Sequence, residues 1–279
     1  MPYIAEISRA NPTAILFLID QSGSMDEAMP SVQSKAQFVA DALNRTLATL
    51  IIRCSKEGGV RDYFDIGVLA YGEDKRVENG LQVAALSSVV LNPISAIEAS
   101  PLRVEERLRK FDDGAGGILE QQVKFPVWLD PKANGGTPMC LALYRAADVL
   151  AEWCDAHRQS YPPTVIHITD GEPTDGDPEQ MAENLRQICT DDGPVLLFNL
   201  HACTQQADTA LYPPSDLGLP NVYSKLLFRM SSILPDHIIR YAQEKGIPTQ
   251  AEARGFVYNA DASDITSFFD IGTRAAQLR

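Results

Sequence analysis

The sequence predicts an α/β protein: a mostly parallel central sheet with one antiparallel edge strand, covered by helices on both faces in a Rossmann-like three-layer arrangement. Three observations lead there. Short apolar runs such as Ala14 to Ile19 and Val165 to Ile168 each end near an aspartate. They lack polar alternation, as strands covered on both faces do. Between such runs lie segments whose apolar residues recur at helical spacing, and this alternation implies a parallel sheet with right-handed crossovers. Of the 279 residues, 45% are apolar, enough for one large core.

The first strand ends at Asp20. Pro30 is expected to open a helix, where its missing N–H does no harm. Val32, Ala36, Val39, Leu43, Leu47 and Leu50 supply its apolar face. A second strand is expected over residues 63–71, with Phe64, Ile66, Val68 and Ala70 on one side. The turn Gly72 to Lys75 leads to an antiparallel partner near residues 81–86. Residues 91–130 read as a structured insertion. They contain the charged stretch Val104 to Lys110 and the breaker Asp112 to Gly117, which is no dinucleotide fingerprint because no strand leads into it.

Pro138 opens the next helix, with Leu143, Ala147, Leu150 and Cys154 on its face. A buried strand follows over residues 164–169 and ends at Asp170-Gly171. Asp177 with Gln180 reads as a capping box for a helix through Met181, Leu185 and Ile188. Residues 195–201 and 255–260 are further strands. Between them lie a second insertion, residues 204–234, and a helix near residues 235–245 stopped by Gly246. Ile265, Phe268, Phe269 and Ala275 form a last helix packed on the sheet. No linker divides the chain, so residues 1–279 read as a single domain with its core at about 13–276.

The net charge of −13 argues against a nucleic-acid partner and disfavours an anionic membrane surface. The N-terminal residues lack a basic region followed by an apolar block, so no secretion signal is expected. No apolar run approaches the roughly 20 residues of a membrane span. Cys54, Cys140, Cys154, Cys189 and Cys203 are odd in number, scattered and free of C-x-x-C pairs. They read as reduced thiols of a cytoplasmic protein. Asn44-Arg-Thr46 matches a glycosylation pattern but sits in a predicted helix, so it is discounted. His157, His167, His201 and His237 have no ligand spacing, and His167 reads as a core residue. Trp128 and Trp153 read as packing residues; an exposed Trp128 would be an interface anchor.

Three segments carry the chemistry: Asp20-x-Ser22-x-Ser24, Gly135-Gly136-Thr137-Pro138 and Asp170-Gly171. Each falls where a strand ends or a helix starts, on one edge of the sheet, where open α/β folds bind ligands. Singly, the hydroxyls read as helix caps and Asp170-Gly171 as a turn. Together, oxygen groups without histidine or cysteine suit a hard divalent cation such as Mg2+, with Mn2+ or Ca2+ as alternatives. Gly23, Gly135, Gly136 and Gly171 let the backbone turn tightly around it.

These segments resemble the metal-ion-dependent adhesion site of the von Willebrand factor type A domain, whose motif is D-x-S-x-S followed by a distant Thr and a distant Asp. The resemblance spans about Thr13 to Ala276. It implies a protein-interaction module without catalysis, with Asp20, Ser22, Ser24, Thr137 and Asp170 as the metal site. Ser22, Ser24 and Thr137 would offer hydroxyls, while Asp20 and Asp170 would act through waters or by orienting those hydroxyls. Neutral ligands leave the ion electrophilic, so it attracts an Asp or Glu carboxylate of a partner protein. Asp26, Glu27, Glu172, Asp175 and Asp177 would raise the local negative potential or serve as caps. Loops at residues 25–30, 130–136 and 172–177 would set specificity. The strings Ile-Asp-Gln-Ser-Gly-Ser-Met and Asn-Gly-Gly-Thr-Pro-Met resemble the bacterial intracellular tellurite-resistance-type subgroup, which implies stress signalling with a kinase or phosphatase partner. Movement of the last helix on ligand binding is a further expectation of the family. The alternatives are an Mg2+-dependent phosphohydrolase, disfavoured because Ser22 replaces the second aspartate of that chemistry, and a scaffold with a purely structural metal.

Overall fold

The computed structural model describes residues 3–28, 34–72, 76–81, 86, 89–112, 118–202, 208–260 and 262–273. In chain order the elements begin with β1 (Thr13–Asp20), a 3-10 turn (Gly23–Asp26), α1 (Lys35–Cys54) and the small hairpin β2–β3 (Ser55–Lys56, Gly59–Val60). There follow β4 (Phe64–Tyr71), β5 (Val77–Asn79), β6 (Asn92–Pro93), α2 (Ile94–Ala99), β7 (Arg103–Asp112) and β8 (Ile118–Val127). Next come α3 (Met139–Ala156), β9 (Thr164–Thr169), α4 (Glu179–Gln187), the hairpin β10–β11 (Cys189–Thr190, Gly193–Pro194) and β12 (Leu196–His201). The chain continues with β13 (Ala210–Leu211), α5 (Val222–Met230), α6 (Asp236–Glu244), β14 (Phe256–Tyr258) and α7 (Ala262–Gly272).

The main sheet runs β13-β14-β12-β9-β1-β4-β5. Strands β4, β1, β9, β12 and β14 are mutually parallel, from Thr13 opposite Phe64 to Asp20 opposite Tyr71 in the β1–β4 pair. β5 is the expected antiparallel edge strand on β4, where β6 also pairs antiparallel; β13 adds a two-residue antiparallel piece at the far edge. β1 is buried at every position, which explains its unbroken apolar run. Ile15, Phe17 and Ile19 face one layer with α1 and α7, while Ala14, Leu16 and Leu18 face the other with α3. Each large side chain removed from water here stabilises by about 1.5–3 kcal/mol. The chain leaves β1 for the first layer but leaves β9 for the second, where α4 packs. The crevice between their carboxyl ends is therefore a topological switch point.

Several elements differ from expectation. α1 begins at Lys35, capped by Ser34, whose Oγ accepts from Gln37 N at 3.2 Å. Pro30 and Val32, expected in that helix, lie outside the described residues. Residues 77–79 pair antiparallel with β4, ahead of the expected 81–86, of which residues 82–85 lie outside the described residues. Asp177 Oδ1 accepts from Glu179 N at 3.0 Å, but Gln180 bonds Asn184, so no capping box forms. Pro178 occupies the N-cap position of α4. α5 was hidden in the second insertion; a reciprocal Asn221–Ser224 capping box starts it.

Residues 91–130 contain β6, α2 and a two-stranded ribbon of ten residues in each strand, and the breaker's residues 113–117 lie outside the described set. The charged stretch 104–110 is a strand because its inward positions are satisfied by ions. Arg107 reaches Asp41 of α1 at 2.9 Å and stacks its guanidinium 3.7 Å from the Phe125 ring centre. Trp128 is buried and donates from Nε1 to Ile97 O at 2.7 Å, so it packs rather than anchors a partner. Asn44 is also buried: its amide donates to Leu129 O and accepts from Trp128 N and Leu129 N, which bars a glycan there. α7 carries Ile265, Phe268 and Phe269 in the core, while Ala275 and residues to 278 of the expected last helix fall outside the described residues. No helix among the described residues is long and apolar enough to cross a membrane.

Candidate metal centre

β1 delivers Asp20 to the switch point, and the chain turns at once into the 3-10 segment, with Ser22 at its N-cap and Ser24 inside it. Asp20 is 1% exposed. Its Oδ1 accepts from Ser22 N at 2.8 Å, and its Oδ2 accepts from Thr169 Oγ1 at 2.6 Å. Ser22 is buried and Ser24 exposed, with their hydroxyl oxygens 3.1 Å apart.

The other two segments are tied to this one by hydrogen bonds that close a triangle. Gly23 N donates to Gly135 O at 3.0 Å and Asn134 N to Gln21 O at 2.7 Å. Thr137 N donates to Thr174 Oγ1, and Thr174 N returns the bond to Thr137 O, both at 2.9 Å. The third side is the Thr169–Asp20 bond. Thr137 is buried at the start of α3, and Asp170 follows β9 with its side chain 11% exposed. Gly171 has φ +95°, and a Cβ there would lie 3.1 Å from both His201 Nε2 and Tyr223 Cβ. Gly72 underlies the first two segments: a Cβ would meet Gln21 O at 2.5 Å and Asn134 O at 2.9 Å.

Electrostatics follow from this burial. Desolvation pushes the Asp20 carboxyl up to about 6, the Thr169 hydrogen bond opposes this, and the neighbouring Asp170 charge adds to it. A buried carboxyl beside a second carboxylate is an environment that a cation would relieve. Among the described residues no three His, Cys, Asp or Glu side chains cluster to hold an ion by themselves, so a metal here would depend on the hydroxyls. The oxygen set fits that role in chemistry, and the serine pair fits it in spacing. Adjacent corners of a Mg2+ octahedron are about 2.9 Å apart, close to the Ser22–Ser24 separation. Ser22, Ser24 and Thr137 are the residues that could supply hydroxyls, with Asp20 and Asp170 behind or beside them.

The flanking acidic residues are mostly committed elsewhere. Asp175 accepts from Cys140 N and Leu141 N and caps α3, Glu172 accepts from Tyr223 Oη, and Glu27 holds Lys35 at 2.8 Å. Asp26 and Asp177 are exposed.

Sequence reasoning missed three supporting groups. Thr169 could have been found as the hydroxyl ending the strand before Asp170. His201 donates from Nε2 to Asp170 O at 2.6 Å, and burial lowers its pKa to about 4, so it is a neutral donor that pins the Asp170 turn. Lys35 is almost fully buried, with Nζ 3.7 Å from Asp170 Oδ2, and no local pattern marked it. Below the site a polar row crosses the sheet. Tyr71 Oη donates to His167 Nε2 at 2.6 Å, His167 Nδ1 donates to Asn199 Oδ1 at 2.8 Å, and Asn199 Nδ2 donates to Ser231 Oγ at 2.9 Å. His167 is thus a satisfied core residue, as expected.

No family model and no curated protein matches the chain. Its fold is similar to several solved structures at low identity. The pilus adhesin SpaC from Lactobacillus rhamnosus GG is 14% identical over 94% of this chain and 30% of that one, with a TM-score of 0.48. The manganese-loaded TRAP protein of Plasmodium vivax is 14% identical over 94% of this chain and 73% of that one, with a TM-score of 0.40. The vWF domain of the type V pili tip protein Mfa5 from Porphyromonas gingivalis is 16% identical over 59% of this chain and 39% of that one, with a TM-score of 0.31. The chain therefore spans less than half the length of the adhesin and of the Mfa5 domain.

Proposed function

We propose that the chain is a von Willebrand factor type A-like interaction module that binds an acidic segment of a partner protein through a divalent cation. The observation that carries this reading is the closed triangle of hydrogen bonds that gathers Ser22, Ser24, Thr137, Asp20 and Asp170 at the switch point. A bound Mg2+, or Mn2+ or Ca2+ in its place, would supply an electrophilic centre for one outside carboxylate. The chain's own part is orientation: Asp20 fixes the first turn through Ser22 N, Thr169 fixes Asp20, and His201 fixes Asp170. The partner class we infer from the motif strings is a kinase or phosphatase of a stress response related to tellurite resistance, and a pulldown from the native host tests it. Free, buried Cys54 and Cys154 fit a reducing compartment such as the cytoplasm.

The test is a calorimetric titration of the full chain with MgCl2, beside the Ser22→Ala/Ser24→Ala double variant. Saturable binding by the wild type, lost in the variant, supports the reading; equal behaviour of the two overturns it. The phosphohydrolase alternative has less support, because Asp20 is 1% exposed and Ser22 stands where that chemistry wants a second aspartate. Mg2+-dependent turnover of an aryl phosphate, abolished in Asp20→Asn, would revive it. Tight metal retention with no carboxylate binding would point instead to a structural ion in a scaffold.

A further inference from the structure

Lys35 is an unusual residue for the wall of a cation site. It opens α1, yet only 5% of its side chain is exposed, and its backbone N and its Nζ both engage Glu27, at 3.0 and 2.8 Å. Its second carboxylate is Asp170, 3.7 Å away and itself 11% exposed. A buried ammonium must keep its counter-charges, since losing one leaves an uncompensated charge out of water. Glu27 lies just beyond the Ser22-x-Ser24 turn, while Asp170 belongs to the third segment. The lysine therefore bridges the two sides of the crevice.

We infer that Lys35 competes with the divalent cation for Asp170 and so sets the concentration at which the site fills. The inference rests on the ion reading above. A cation held directly or through water by Asp170 comes within a few ångströms of the ammonium, where like charges repel strongly because little water intervenes. Binding must therefore draw the ammonium away from Asp170 and leave it on Glu27, which already holds it at 2.8 Å and is 56% exposed. Such a residue works against a permanently held metal and favours filling when an incoming carboxylate adds negative charge.

The experiment is Mg2+ titration by calorimetry, with parallel thermal melts, on the wild-type chain, Lys35→Met and Glu27→Gln. Lys35→Met keeps the apolar stem and removes the charge; it is expected to bind Mg2+ about tenfold more tightly or better. Glu27→Gln removes the carboxylate that would retain the ammonium when Asp170 turns to the cation, and is expected to bind several-fold more weakly. The Lys35→Met shift should persist in about 0.5 M KCl, because the Lys35–Asp170 pair is buried and poorly screened, whereas a generic surface-charge effect would fade. Lys35→Met affinity equal to or weaker than wild type overturns the inference, as does an effect erased by salt. If Lys35→Met does not fold, an unchanged or tighter Glu27→Gln overturns it on its own. No Mg2+-dependent heat or melting shift in any of the three proteins overturns the ion reading and this inference together; wild-type binding without the Lys35 effect overturns this inference alone.

Discussion

Replacing His167 by glutamine should flatten the acid sensitivity of folding. His167 is fully buried in β9 with both ring nitrogens engaged, Nε2 accepting from Tyr71 and Nδ1 donating to Asn199. Burial lowers its pKa from 6.5 to about 4. The unfolded chain therefore takes up a proton as the pH falls through 6.5, and the folded chain does not until about 4. Between those values the unfolded state binds more protons, so stability falls as the pH falls. The full loss across that window is about 3 kcal/mol, of which about 2 kcal/mol is gone by about pH 5. The assay is urea unfolding of both proteins, followed by tryptophan fluorescence, at about pH 7.5 and about pH 5. The variant should be less stable at the higher pH, since glutamine cannot serve both neighbours, but should lose about 2 kcal/mol less on acidification. Curves for the two proteins that stay parallel within about 0.5 kcal/mol would refute the reasoning, as would a His167 titration midpoint near the ordinary histidine value.

Gly72→Ala should cost about 1–3 kcal/mol and weaken any Mg2+-dependent rise in melting temperature, because the added methyl meets the Gln21 and Asn134 carbonyl oxygens; an unchanged melt in both conditions would count against it. Asn44→Ala strands two backbone N–H groups and one carbonyl in the core and should cost about 3 kcal/mol in urea unfolding, with a loss below about 1 kcal/mol contradicting the assignment. Thiol labelling mapped by mass spectrometry should find exposed Cys189 modified in the native protein. Cys54 and Cys154, whose thiols burial pushes up to about 12, should stay protected until unfolding; rapid native labelling of either would show that the packing is wrong.

Strands buried on both faces were the most legible elements. β1, β9 and β12 carry their environment in their composition, because positions without water on either side are mainly apolar, and polar exceptions such as His167, Thr169, Asn199 and His201 are each hydrogen-bonded. The helical faces of α1 and α3 were legible for a related reason, one apolar stripe meeting one sheet face. The β7–β8 ribbon was not, since its inward face is satisfied by Arg107, Asp41 and a ring face rather than by aliphatic side chains. β5 and α5 were misplaced or missed because short elements at an edge or in a loop-rich stretch have too few residues to set a period.

At the candidate site, the residue types and chain order of Asp20, Ser22, Ser24, Thr137 and Asp170 were written in the sequence, as was their expected place at strand ends and helix starts. Which atoms support them was decided by tertiary structure. Thr169 reaches Asp20 only because β1 and β9 are neighbours in register, and His201 reaches the Asp170 carbonyl only because β12 lies next to β9. Lys35 looks like an ordinary first-turn lysine in the sequence; folding brings its ammonium against a carboxylate 135 residues away, at 3.7 Å. Local composition determines what a segment can become, because burial acts on each residue separately. Electrostatic partnership depends on distance in space, and for these groups the chain closes that distance only when the sheet assembles.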